Sequence, residues 1–116
     1  MIRKILSSLA IMLFFLTYSQ QTGKASFYGE QHHGRKTASG EVFNMHGLTA
    51  ASNTLPIGTY VKVTNVKNSK SVVVKINDRG GFSKYGRLLD MSKGAFSQIA
   101  SVKQGIITVL IEIVKP

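Results

Sequence analysis

A mainly β chain closed into a small barrel of about six short strands, with one or two short helices, is the class this sequence predicts, and three stretches predict it. Residues 60–65 read YVKVTN, with Val61 and Val63 on one face and Lys62 and Thr64 on the other, the period of two that marks a half-buried strand. After the polar Lys67-Asn68-Ser69-Lys70, the run Ser71 to Asn77 returns as a hairpin partner rich in β-branched residues. The chain closes on IITVLIEIV, where Ile107, Val109, Ile111 and Ile113 share a face; this is the strand expected to be longest. A sheet so small, apolar on one face only, escapes exposed edges most easily by closing on itself.

The other elements follow in chain order. The opening MIRKILSSLAIMLFFLTYSQQ has a charged start at Arg3 and Lys4, an apolar stretch from Ile5 to Tyr18 and the small Ser19. That is the layout of a secretory signal peptide over residues 1–19, with 20–116 as the folded domain. The apolar stretch is shorter than the roughly 20 residues a spanning helix needs, so no stable membrane anchor is expected after cleavage. Lys24 to Tyr28 alternates enough for a short strand, and GEQHHGRKTASGE after it reads as an exposed loop. Val42 to Leu48 is a candidate second strand, and Thr49 to Asn53 a single helical turn closed by Leu55-Pro56. Ser92 caps a predicted helix whose Ala95, Phe96, Ile99 and Ala100 recur at helical spacing, with Gly105 as its stop.

Composition narrows the chemistry. With no cysteine among 116 residues there is neither a disulfide framework nor thiol chemistry. The formal charge of +10 falls to +8 once Arg3 and Lys4 leave with the leader, and such a surface favours polyanions. For an exported protein those are cell-wall glycans and envelope components; no aromatic-rich basic motif supports nucleic acid as a partner. His32, His33 and Glu41 lack a recurring ligand spacing, so neither metal nor cofactor is expected.

One stretch asks for more than a turn. VVVKINDRGGF carries a buried-strand pattern straight into Asn77, Asp78, Arg79 and two glycines, and the chain has only five acidic residues. Asn and Gly suit a turn, but a turn needs neither Asp78 nor Arg79. A carboxyl where strand meets loop is half-buried by position, which suits a tuned acid. Arg79, on the opposite side of the strand by alternation, is free to pair with Asp90 instead, and Asp90 itself is read as a brace for the helix start at Ser92.

Together, ASFYG, HGRKTASGEVFN, LTAASNTLPIGTYVKVTN, VVVKINDRGGF and RLLDMSKGAF, in this order and spacing, resemble the rare lipoprotein A family of septal-ring lytic transglycosylases, from about Gly23 to Val114. The resemblance implies a double-psi β-barrel, akin to expansin-like proteins, acting on peptidoglycan glycan strands. It further implies that the acids of TASGE and NDRG, here Glu41 and Asp78, serve catalysis. Three positions depart from the family: Ser52 stands where a His is common, Gly81 where Pro is usual, and Phe27 where Trp is usual. The expected function is therefore that of an exported, periplasmic or secreted, monomeric lytic transglycosylase that leaves 1,6-anhydro ends. Asp78 is the expected acid/base, with Glu41 positioning substrate or stabilising positive charge, and the reverse order of the two is the alternative. Tyr28, His33, Arg35, Ser52, Asn77 and Arg79 are expected to bind sugar. The alternative is a non-catalytic glycan-binding or wall-loosening module of expansin-like type.

Overall fold

A computed structural model describes residues 20–80 and 86–114. The leader over residues 1–19 and the Gly81 departure lie outside the described residues. Six strands close into one barrel: β1 (Gln20–Tyr28), β2 (Thr49–Ala51), β3 (Tyr60–Asn65), β4 (Ser71–Asp78), β5 (Arg87–Ser92) and β6 (Ile107–Val114). Their order around the barrel is β1-β5-β2-β4-β3-β6. Pairs β1/β5 and β2/β4 run parallel and the other four antiparallel, so every strand has a neighbour on both sides. One helix, α1 (Lys93–Ile99), and a 3-10 turn at Val102–Gln104 complete the described elements.

Alternation builds the interior. Val61 and Val63 of β3, Val72, Val74 and Ile76 of β4, and Val109 of β6 point inward and are buried, meeting Ala25, Ala50, Leu89 and Met91 from the remaining strands. Two alanines among the twelve strand residues of this core keep the barrel narrow enough to fill with side chains. Ile107 and Ile111 join it, whereas Ile113 is 48% exposed at the end of β6. The α1 face of Ala95, Phe96 and Ile99 covers the barrel, with Phe96 4.8 Å from Phe27 ring to ring.

The helix begins as predicted. Ser92 Oγ accepts the amide of Ala95 at 3.2 Å, a standard N-cap bond. It ends at Ile99, close to the last of its helically spaced apolar residues, because Ala100 adopts an extended conformation; Gly105, at φ 71°, closes the 3-10 turn and not the helix. Side chains from the β3–β4 hairpin satisfy the helix end: Asn65 Nδ2 and Asn68 Nδ2 donate to the Ile99 carbonyl at 2.8 and 3.0 Å.

Three other expectations are corrected. Val42 to Leu48 is not a strand; it forms a single bridge, Lys36 to Val42, within a loop. Thr49 to Ala51 is no helical turn but strand β2, because its backbone pairs with β4 on one side and β5 on the other, with Ala50 and Ala51 buried. The longest strand is β1, at nine residues against eight for β6, since its polar beginning pairs with Glu112, Ile111 and Leu110 of β6. Strand β5 carries no period-2 signal and is built by its neighbours.

Candidate active site

The end of β4 is where the site is made. Lys75 and Ile76 oppose Thr49 and Ala50 of β2, but Ala51 opposes Asp78, so Asn77 is an extra residue in the ladder. Such an irregularity offsets the residue that follows it and is a common way to re-aim a side chain. Asp78 emerges beside Ala51, and Ala51 in turn pairs with Asp90 of β5. Two acids on different strands thus reach one place through the short β2 between them.

The loop before β2 completes the surroundings. Residues 34–43 fold back on themselves through Phe43 N to Arg35 O (2.7 Å), Gly34 N to Phe43 O (2.9 Å) and Thr37 N to Glu41 O (2.9 Å), with Gly40 at φ 88° making the turn a side chain would strain. The loop tip rests on β4: Ala38 N donates to Asp78 Oδ1 at 2.9 Å and Ser39 N to the Asn77 carbonyl at 3.1 Å. Farther along, the backbone at His46 lies so close to α1 that a Cβ on Gly94 would meet the His46 carbonyl oxygen at 2.8 Å. Only glycine allows that approach.

An open cleft of about 340 Å³ results, lined by Tyr28, His32, Ala51, Asp78, Arg79, Gly80, Arg87 and Asp90. Asp78 Oδ1 accepts both Ala38 N and its neighbour Arg79 N at 2.9 Å, and Oδ2 lies 3.4 Å from the Tyr28 hydroxyl, which donates. Asp90 Oδ1 accepts from Ser26 Oγ at 3.0 Å, and that hydroxyl accepts from Arg87 Nη1 at 3.1 Å. The two carboxyls therefore differ in setting. Burial pushes the Asp90 carboxyl above the usual carboxylate range, opposed by the Ser26 bond and the Arg87 and His32 charges, and Asp78 adds to the rise. Tyr28 is held well above the usual phenol range by burial first, then by the charges of Asp78 and Asp90, so it stays a neutral donor. Its ring is fixed by stacking on Phe43 at 4.5 Å and by the edge of His32 at 5.2 Å.

Of the eight residues expected to act or bind, Asp78, Tyr28 and Arg79 come together in this cleft. The other five do not line it. Glu41 is exposed on the loop tip, bonded to Lys75 Nζ at 3.1 Å and to Ser39 Oγ at 3.2 Å, and the Lys75 bond, then the Ser39 bond, hold its carboxyl below the usual range. His33 Nδ1 accepts the Met45 amide at 3.1 Å, and Arg35 serves the loop through its backbone. Ser52 is 1% exposed; its hydroxyl accepts the amides of Thr54 and Leu55 and so caps the turn after β2. Asn77 is buried as the extra residue, its side-chain oxygen without a hydrogen-bond partner. Arg79 does not pair with Asp90: its Nη1 donates to the Ser52 carbonyl at 2.7 Å. Nor does Asp90 brace the helix, which Ser92 caps alone. Asp90, His32 and Arg87 are cleft residues that periodicity did not reveal; the signals available for Asp90 were its rarity as an acid in a basic chain and its place, with Arg87, in the motif RLLDMSKGAF.

With the geometry in place, the likeness to known proteins is specific. The chain is 52% identical over 96 residues to the endolytic peptidoglycan transglycosylase RlpA of Neisseria meningitidis serogroup A, a match covering 83% of this chain and 40% of that relative. The chain thus spans well under half the length of the curated relative. In architecture it is similar to the Streptomyces papain inhibitor (TM-score 0.67, 21% identity, covering 83% of this chain and 94% of that one). A Clavibacter michiganensis expansin in complex with cellohexaose is similar as well (TM-score 0.65, 20% identity, covering 83% and 50%). Residues 20–111 match the family described as lytic transglycolase, and the chain therefore belongs to that family of double-psi β-barrels.

Proposed function

We propose that the cleft cuts peptidoglycan glycan strands without water, leaving 1,6-anhydro ends. The observation that carries this reading is the pair of carboxyls, Asp78 and Asp90, in one open cleft with unlike surroundings, since divergent settings are how two acids of one type take different roles. The relationship to transglycosylases named for peptidoglycan supports the choice of polymer and of reaction.

In this scheme Asp90, which keeps its proton to higher pH, protonates the glycosidic oxygen as the bond to the anomeric carbon breaks. Asp78, held by two backbone amides and Tyr28, faces the positive charge that develops on the sugar ring. The C6 hydroxyl of the same sugar then closes on the anomeric carbon, and its proton returns to Asp90, so one carboxyl acts as acid and then as base. This moves the acid from Asp78, where the sequence alone put it, to Asp90. Glu41 has the wrong setting for a proton donor, and its ion pair with Lys75 fits a role in holding the loop tip over β4. Tyr28 and Arg79 position the sugar. Export of a monomer, after loss of residues 1–19, belongs to the same proposal.

Mass spectrometry of products from peptide-free glycan tests it. Anhydro ends are expected; reducing ends would make the protein a hydrolase, and binding with no product would make it the wall-loosening module.

A further inference from the structure

A second cavity, of about 260 Å³, shares no residue with the cleft. Lys24 of β1, Val66 and Lys67 after β3, Gln104 of the 3-10 turn, and Ile106 and Thr108 at the start of β6 are among its walls. Val66 is 48% exposed and Ile106 54%, so aliphatic surface is left open here between ammonium groups. The frame around the groove is fixed, because Asn65, in its wall, ties β3 to the helix end at Ile99 and Val66 N bonds the Thr108 carbonyl at 3.2 Å.

The charge in this groove is one-sided. The chain has five acids and none lines it: Glu30 pairs with Lys93, Glu41 with Lys75, Asp78 and Asp90 line the cleft, and Glu112 accepts from Gln20. Lys24 and Lys67 pair with no carboxylate among the described residues, and Lys24 uses one of its three donors on Thr108 Oγ1 at 3.0 Å. A partner cannot add a strand, since all six strands already have two neighbours. Whatever binds must be held by side chains, and anionic groups for Lys24 and Lys67 beside small apolar groups for Val66 and Ile106 would complement these walls.

We propose that this groove binds the stem peptide of peptidoglycan, its glutamyl and C-terminal carboxylates on Lys24 and Lys67 and its alanine methyls on Val66 and Ile106. The proposal rests on peptidoglycan being the polymer. A concave groove of this volume suits a short peptide better than a flat lipid surface, and its charge complements that peptide. The protein then holds the peptide part of the wall at one face while the cleft works on its glycan at another.

Amide chemical shifts of the whole protein, titrated with the free tetrapeptide L-Ala-γ-D-Glu-meso-diaminopimelyl-D-Ala, test this. Shifts are expected at Val66, Lys67 and Gln104 to Thr108, with those at Ala51, Asp78 and Asp90 unmoved. The double variant Lys24→Gln with Lys67→Gln, and separately Ile106→Ser, should each weaken binding by roughly tenfold, while Lys67→Arg retains it. All three should cleave peptide-free glycan at the wild-type rate. The proposal is overturned if the tetrapeptide moves cleft amides instead, if the double Gln variant binds equally well, or if phosphatidylglycerol vesicles shift the groove and the tetrapeptide does not. Groove binding without any anhydro product from the wild type would sink the catalytic reading alone; product without groove binding would sink only this one.

Discussion

At the scale of single residues, Asp90 carries the sharpest consequence. Its carboxyl keeps a proton in the folded state at a pH where the unfolded chain has lost it, so its contribution to stability is complete at low pH and is lost as pH rises through the raised pKa. Asp90→Asn has no such loss. Melting curves should show the variant gaining on wild type as pH rises through and above the usual carboxylate range, and a gap that stays flat would mean the carboxyl is ordinary. Activity should fall by at least about 100-fold in the same variant, the lower end of what general acid catalysis contributes, and wild-type kcat/KM should decline on the alkaline side as Asp90 ionises. Glu41→Gln should cost clearly less activity than Asp90→Asn, because Glu41 is ionised and outside the cleft; if the order reverses, the acid is Glu41. Ser52 shows why a motif departure need not be a lost catalytic group. With its hydroxyl holding two amides at 3.1 and 3.2 Å in a buried site, Ser52→His both overfills the space and strips an acceptor. It should destabilise by about 1–3 kcal/mol in denaturant titration and leave activity of the folded fraction unimproved; a more active variant would show that a His at this position reaches the substrate.

At the scale of elements, α1 is short and depends on what surrounds it. Seven residues are too few for a helix to stand alone in water, so Ser92 at one end, two asparagines at the other and the apolar face in between must hold it. Ile99 has no exposed surface and contacts the core, and Ile99→Ala is expected to cost about 2–5 kcal/mol in chemical denaturation. A loss below about 0.5 kcal/mol would mean that the helix can slide to refill the space. The helix also matters to the site, since Gly94 N bonds the Met45 carbonyl and Ser92 Oγ bonds the Gly47 carbonyl, fixing the loop whose Phe43 supports Tyr28. A weakened helix should therefore reduce activity before it unfolds the barrel.

At the scale of the whole molecule, closure makes stability collective. Hydrogen exchange should find the amides of Val61, Val63, Val74 and Val109 opening together at the slowest rate, with the turn at Gly29 to His33 exchanging much faster; staggered rates among these strands would argue that the barrel opens by parts. The hairpin of β3 and β4, the inward valines and isoleucines and the Ser92 cap were legible in the chain, because each is written in neighbouring residues: a period of two, a polar turn, a hydroxyl ahead of a helical face. Strands β2 and β5 were not, since TAA and RLLDMS hold no local preference strong enough and become strands only when β4 and β1 flank them. The same limit applied to the site. Asp78 stood out because it interrupts a strand pattern, and the family motif around it placed Tyr28 and Arg79 beside it. Asp90, twelve residues on and next to a helix cap, read as local structure. What the sequence determined by itself was the β class, the helix and the basic balance, all of which depend on residue type and short-range order. What the tertiary structure decided was which acid faces Asp78, because strands far apart in the chain meet through β2 and its one-residue offset, and burial, which sets the proton affinity of Asp90, exists only once the barrel has closed.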